Sequence, residues 1–102
     1  MPYIKQEGRE PLDSPVNELV NAISSGNDLT DEEFMVICGE INYCVSSMLA
    51  KLMVKPSYSK VAMITGVLEN IKQEFYRRVA APYEDAKIVQ NGDIKGYRSL
   101  FP

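Results

Sequence analysis

The sequence predicts an all-α protein: a long antiparallel helical hairpin with a short N-terminal helix and a short C-terminal helix, assembling as an oligomer. Apolar residues recur at every third or fourth position over two long stretches, which is the spacing of one helix face. Residues that favour helix starts precede both stretches. The 102 residues are expected to form one helical domain with a thin core, because a chain of this size buries only roughly 60–65% of its unfolded surface. Association with further copies would add to that burial.

The N-terminal part predicts an extended arm followed by a short helix. Residues 1–13 are interpreted as the arm, since Gly8 and Pro11 interrupt regular structure. Ser14 and Pro15 then suit the N-cap and the first helical position, because proline has no N–H to lose there. The apolar face of this helix comprises Val16, Leu19, Val20 and Ile23.

The longest predicted helix begins with a capping box and runs to about Val54. Thr30 is placed to cap the helix, and Glu33, three residues later, can reach back to the backbone of Thr30. Gly39 interrupts the pattern, and we expect it to mark a close approach of another helix. The apolar face comprises Phe34, Ile37, Cys38, Ile41, Val45, Met48, Leu49 and Leu52.

A third helix is predicted after Pro56, with Ser59 as its cap. Pro82 ends this helix or starts a short fourth helix that runs to about Gln90. Residues 94–102 are predicted to be a loose tail. The apolar face of the third helix comprises Val61, Ile64, Leu68, Ile71 and Phe75.

Composition removes several classes of function. The chain has no histidine, so it lacks the commonest general base and a usual zinc ligand. No apolar run approaches the roughly 18–20 residues that span a bilayer, and the N-terminus is polar, so no membrane association is expected and the cytoplasm is the predicted location. No cofactor and no metal site are predicted.

Charge is distributed unevenly along the chain. Residues 1–50 carry nine acidic and two basic side chains, a net charge of −7, whereas residues 51–102 carry nine basic and five acidic ones, a net charge of +4. The overall charge of −3 argues against general nucleic-acid binding. The basic half could attract a small phosphorylated ligand or an acidic protein surface. Alternatively, the two halves neutralise each other or neighbouring subunits.

Candidate ligand-binding side chains concentrate around the predicted end of the third helix. Arginine binds phosphate through two parallel hydrogen bonds, and a tyrosine ring can stack on a base. A purely structural interpretation also exists, because arginines favour helix C-termini and Glu74 lies one helical turn before Arg78. The candidates are Lys72, Tyr76, Arg77, Arg78, Tyr83 and Lys87.

The same segment carries a family resemblance. The opening run Met1–Ile4, the runs Glu74–Val79 and Ala81–Asp85, and the closing Asn91–Asp93 resemble a small family of uncharacterised proteins of bacteriophages and bacteria. The resemblance covers both ends of the chain, and it implies a phage-type accessory protein. It implies no catalytic residues.

An enzymatic alternative is an all-α, magnesium-dependent nucleotide pyrophosphohydrolase. Such enzymes place carboxylates one turn apart on facing helices around a hard cation. Glu33 and Glu40 could share a helix face, but Glu69 and Glu74 are rotated by about 140° from each other. The paired acidic motifs of that enzyme family are missing, and the capping box accounts for Glu33.

The sequence therefore predicts a non-enzymatic, homo-oligomeric binding protein. Its predicted role is to sequester a small phosphorylated ligand, such as a signalling or cyclic nucleotide, and so to counter host defence from within the host cytoplasm. The alternative is a protein–protein inhibitor or adaptor that docks a host or phage protein. An excess of exposed apolar side chains would favour that alternative.

Overall fold

The computed structural model describes residues 4–24 and 28–101, and all regular secondary structure in these ranges is helical. The elements are α1 (Gln6–Ile23), α2 (Asp31–Leu52), α3 (Tyr58–Phe75), a π-helical segment (Tyr76–Ala80), α4 (Ala81–Asn91) and the single turn α5 (Lys95–Arg98). The all-α class is thereby confirmed. None of the described helices is both long enough and apolar enough to cross a membrane. The chain divides into two compact units, one ending at Lys60 and one beginning at Val61.

Helix α1 corrects the prediction for the N-terminal arm. The chain is helical from Gln6 onward, so Ser14 lies inside the helix instead of capping it. Both prolines of this region are accommodated in the helix, although each lacks the N–H that would bond to the fourth residue before it. Leu12 extends the apolar stripe upstream by one turn. Periodicity along the helix thus outweighs the two prolines, and residues 1–3 of the predicted arm lie outside the described ranges.

The predicted capping box opens α2. The Glu33 N–H donates to the Thr30 hydroxyl at 3.2 Å, and the Thr30 N–H donates to the Glu33 carboxylate at 3.0 Å. The second bond lowers the pKa of Glu33, because a backbone donor stabilises the ionised carboxylate. Helix α2 ends at Leu52, slightly before the predicted Val54, because Met53 leaves helical geometry.

Replacing Thr30 by alanine is expected to lower the free energy of unfolding by about 1 kcal/mol, since the Glu33 N–H loses the hydroxyl that accepts its hydrogen bond. Thr65→Ala is the matched control. The Thr65 hydroxyl donates to the Val61 carbonyl inside α3 at 2.8 Å, a position where alanine is the better helix former, so its stability should be unchanged or slightly higher. Urea unfolding followed by circular dichroism, at one protein concentration, measures both. Coincident curves for Thr30→Ala and the parent would contradict the cap.

Helix α3 begins two residues after Pro56, and its cap is Ser57 instead of the predicted Ser59. The Lys60 N–H donates to the Ser57 hydroxyl at 3.2 Å. Both serines are suitable capping residues, and Ser57, the earlier of the two in the sequence, is the one that caps the helix. The helix therefore starts at Tyr58.

The C-terminal part is more regular than the predicted loose tail. Helix α4 ends at Asn91, and Gly92 adopts a φ of 88°, as the predicted Asn91–Gly92 helix end requires. The Ile94 N–H then donates to the Asp93 carboxylate at 2.7 Å. The following residues form the turn α5.

Little of the chain is buried. Among the described residues, Ile37 of α2 is the one apolar side chain that falls in the buried class. In the first unit α1 contacts α2, and in the second unit the contact between elements is that of the π segment with α4. A Cβ atom added at Gly39 would meet nothing within 4 Å. Among the described residues of the first unit, no helix therefore makes the predicted close approach at this glycine.

Candidate functional site

The junction of α3 and α4 is a π-helical turn. The Ala81 N–H donates to the Tyr76 carbonyl, five residues earlier, which is the π-helical hydrogen bond. Pro82 supplies the reason: it has no N–H, and in a regular α-helix its ring would clash with the carbonyl of Arg78. The prediction that Pro82 starts a fourth helix is correct in position, since it lies in the first turn of α4. Single π turns inside helices are frequent at functional sites.

Both arginines of the junction contact one carboxylate. The Arg77 Nη2 lies 2.9 Å from each oxygen of Glu74, and the Arg78 Nη1 lies 3.4 Å from Oε1. The Glu74–Arg78 pair was predicted, whereas the closer Arg77 pair was not. The guanidinium side chains are mostly exposed, so the ion pairs contribute at most about 1 kcal/mol. An anion arriving from solvent could therefore compete with Glu74 for them.

The two tyrosines of the junction are held by different contacts. The Tyr76 hydroxyl donates to the Glu84 carboxylate on α4, and this bond, reinforced by the charge of Glu84, raises the pKa of Tyr76. The contact joins the π segment to α4. Tyr83 instead makes a cation–π interaction with Lys87, whose ammonium lies 5.5 Å from the ring centroid.

A groove of about 630 Å³ runs along the end of α3 and the π segment. It brings together three of the six predicted ligand residues, Lys72, Tyr76 and Arg77. The other three, Arg78, Tyr83 and Lys87, do not line it. Sequence reasoning missed Phe75 as a groove residue because its spacing is that of a core position, yet its side chain is 63% exposed.

The groove is charge-balanced and partly apolar. Lys72 and Arg77 are opposed by Glu69 and Glu74, which also line it. Phosphate binding here would require the Arg77 fork to turn from Glu74 to the ligand. The ring faces of Phe75 and Tyr76 provide surface on which a planar group could stack.

Glu33 and Glu40, which the pyrophosphohydrolase alternative would use, do not line this groove. Glu33 is engaged in the capping box, and Glu40 lines a small groove between α1 and α2. In residues 4–24 and 28–101, no three cysteine, aspartate or glutamate side chains form a group that could hold a metal ion.

Comparison with known proteins gives a family but no relative of known activity. No curated protein and no solved structure matches the chain. A family of unknown function matches residues 1–94, a range that includes the whole junction from Glu74 to Asp85. The resemblance to an uncharacterised family is thereby confirmed: the chain belongs to the family described as Domain of unknown function (DUF6899).

Proposed function

We propose that the protein is a non-enzymatic binding protein that captures a small phosphorylated ligand, such as a signalling or cyclic nucleotide, at the groove of the π segment. The observation that supports this most is the joint presence of Lys72, Tyr76 and Arg77 on one groove at a π turn. The wider proposal, from the family resemblance, is a phage-type accessory protein that counters host defence in the host cytoplasm.

Each groove residue has a distinct part in this proposal. Arg77 presents a planar fork that forms two charge-assisted hydrogen bonds to phosphate, each contributing roughly 1.5–3 kcal/mol. Lys72 adds a point charge. The rings of Tyr76 and Phe75 stack on the base, and Glu74 competes with the phosphate for Arg77. A ligand must therefore carry enough negative charge to replace that carboxylate.

Titration calorimetry with a panel of linear and cyclic nucleotides tests the proposal. We expect Arg77→Ala to weaken binding at least about tenfold, because a bidentate contact is lost. Lys87→Ala is the control: it removes one positive charge from the same unit but outside the groove, and it should bind like the parent. Melting temperatures establish that both variants fold.

Two results would contradict this function. One is a parent protein that binds no nucleotide of the panel. The other is that Lys87→Ala weakens nucleotide binding whereas Arg77→Ala binds like the parent. The ligand would then bind near α4, outside the groove.

A second candidate function is a protein–protein inhibitor or adaptor. The exposed apolar side chains favour it, including Tyr58 at 90% and Met35 at 75% exposure. In this alternative the helical hairpin predicted from the sequence would dock a host or phage protein. A parent protein that binds no nucleotide would give this candidate first place.

A further inference from the structure

The face of α3 that enters the groove carries charges of both signs. Glu69, Lys72, Gln73 and Tyr76 stand at positions i, i+3, i+4 and i+7 of one helix face, and all four line the groove. Arg77 lines it at the far end. Glu69 and Arg77 are separated along the helix axis by roughly 12 Å, at about 1.5 Å per residue. A nucleotide has a similar length, so one whose phosphate binds at Arg77 can reach Glu69 with the edge of its base.

The two carboxylates of the groove have different partners. Glu74 is paired with the guanidinium groups of Arg77 and Arg78, at 2.9 and 3.4 Å. The Glu69 carboxylate accepts a hydrogen bond of 3.1 Å from the side-chain amide of Gln73, one turn further along α3. That amide is neutral, so it does not compensate the negative charge of Glu69. A carboxylate can accept about four hydrogen bonds, so Glu69 can accept others while it holds Gln73.

The charge of Glu69 determines which part of a phosphorylated ligand can lie beside it. A phosphate there would be repelled, because like charges at short range oppose binding. The groups of a nucleotide that donate hydrogen bonds are the N–H groups of the base and the ribose hydroxyls. The edge of the base lies farther from the phosphate than the ribose does. Glu69, at the opposite end of the groove from Arg77, therefore faces the base edge.

Guanine is the common base whose edge matches a carboxylate. Its Watson–Crick edge carries two adjacent donors, N1–H and the N2 amino group, which can bond to the two oxygens of a carboxylate in parallel, as an arginine fork does. Adenine and cytosine instead present one amino group beside a ring nitrogen that accepts, and uracil presents one N–H between two carbonyl oxygens. In each of these bases an acceptor would face a carboxylate oxygen. A carboxylate at this position therefore favours guanine.

The ring of Tyr76 lies between the two ends of the groove. Its hydroxyl donates to the Glu84 carboxylate on α4, so the ring face is the part that remains for a base. Tyr76 is the neighbour of Arg77 and lies two helical turns from Glu69. Stacking on an aromatic ring adds affinity for any base, since every base has a π face. Selectivity between bases therefore depends on Glu69.

We propose that the groove selects guanine nucleotides: the Glu69 carboxylate accepts from N1–H and the N2 amino group of the base, while Arg77 and Lys72 bind the phosphate. The selection rests on the nucleotide-binding function proposed above, since it names the base of that ligand. It gives Glu69 a direct contact with the ligand, which the sequence did not indicate.

Calorimetry of the full chain with the 5′-monophosphates of guanosine, inosine and adenosine tests the selection. Inosine lacks only the N2 amino group of guanosine, so it offers the carboxylate one donor instead of two. Guanosine monophosphate should bind at least about tenfold more tightly than adenosine monophosphate, because a good bidentate contact discriminates between bases by roughly 5- to 150-fold. Inosine monophosphate should bind with intermediate affinity.

Glu69→Gln isolates the carboxylate. Glutamine keeps the length of the side chain and an oxygen that can accept from Gln73, but its amide has one acceptor and one donor group in place of two acceptors. We expect this variant to bind the guanosine and adenosine nucleotides within about threefold of each other. Asp85→Asn is the matched control, since it removes one negative charge from the same unit outside the groove. It should keep the guanine preference, and melting temperatures establish that both variants fold.

The possible results distinguish the guanine selection from nucleotide binding itself. Equal affinity of the parent for the three nucleotides, or tighter binding of the adenosine nucleotide, overturns the selection and leaves the proposed function in place. A guanine preference that persists in Glu69→Gln, or that is lost equally in Asp85→Asn, overturns the role of Glu69. A parent that binds none of the three contradicts the proposed function, and the selection fails with it.

Discussion

Replacing Ile37 by alanine should lower the free energy of unfolding by about 2–5 kcal/mol, the usual cost of emptying a packed apolar position. The Ile37 side chain of α2 is only 7% exposed. The large effect is expected because the surrounding side chains fill the cavity that alanine leaves only in part.

Val36→Ala is the matched control for Ile37→Ala. Val36 is the neighbouring residue of α2 and is 66% exposed. Its replacement should change stability by no more than about 0.5 kcal/mol, since the effects of exposed surface substitutions are usually small. Urea unfolding followed by circular dichroism compares the two variants. Similar losses of stability in both would contradict the packed environment of Ile37.

Opposite changes in ligand affinity are expected from the two members of the Glu74–Arg77 ion pair. Glu74→Gln removes the carboxylate that competes with phosphate and should strengthen nucleotide binding about fivefold, the equivalent of roughly 1 kcal/mol for an exposed ion pair. Arg77→Ala should weaken it. Together the two variants should differ at least about 50-fold in dissociation constant.

Melting temperatures measured together with ligand binding distinguish a ligand-binding role of the Glu74–Arg77 pair from a purely structural one. If Arg77 serves only to stabilise the end of α3, both substitutions break the same ion pair and both lower the melting temperature. The two variants would then not shift the dissociation constant for the nucleotide in opposite directions. Gln73→Ala is a useful control, because Gln73 also lines the groove but carries no charge. Calorimetry at two salt concentrations completes the test, since phosphate contacts by exposed cations weaken as salt rises.

The sequence by itself determined the features that depend on neighbours within one or two helical turns. The helical class follows from apolar periodicity, and the capping box at Thr30 and Glu33 needs only two side chains three residues apart. The Glu74–Arg78 pair and the helix end at Gly92 are local in the same sense. Such interactions do not depend on the rest of the fold, so residue types and spacing are enough to predict them.

Other features depended on several local preferences acting at once. The prolines of α1 indicated an extended arm, but the helix continues through them because the amphipathic pattern extends upstream. The π turn arises because the helix continues from α3 into α4 although Pro82 cannot be accommodated in regular α-helical geometry there. Sequence reasoning named both prolines and Pro82, but it could not weigh their local cost against the continuity of the helix.

Only the tertiary structure decided which apolar faces are covered and which candidate residues share a groove. The spacing of Phe34, Ile41 and Phe75 is that of core residues, yet all three are exposed. Lys72 and Arg77 line one groove with Tyr76, while Tyr83 and Lys87 do not. Periodicity records that one side of a helix is apolar, but burial depends on what lies opposite that side.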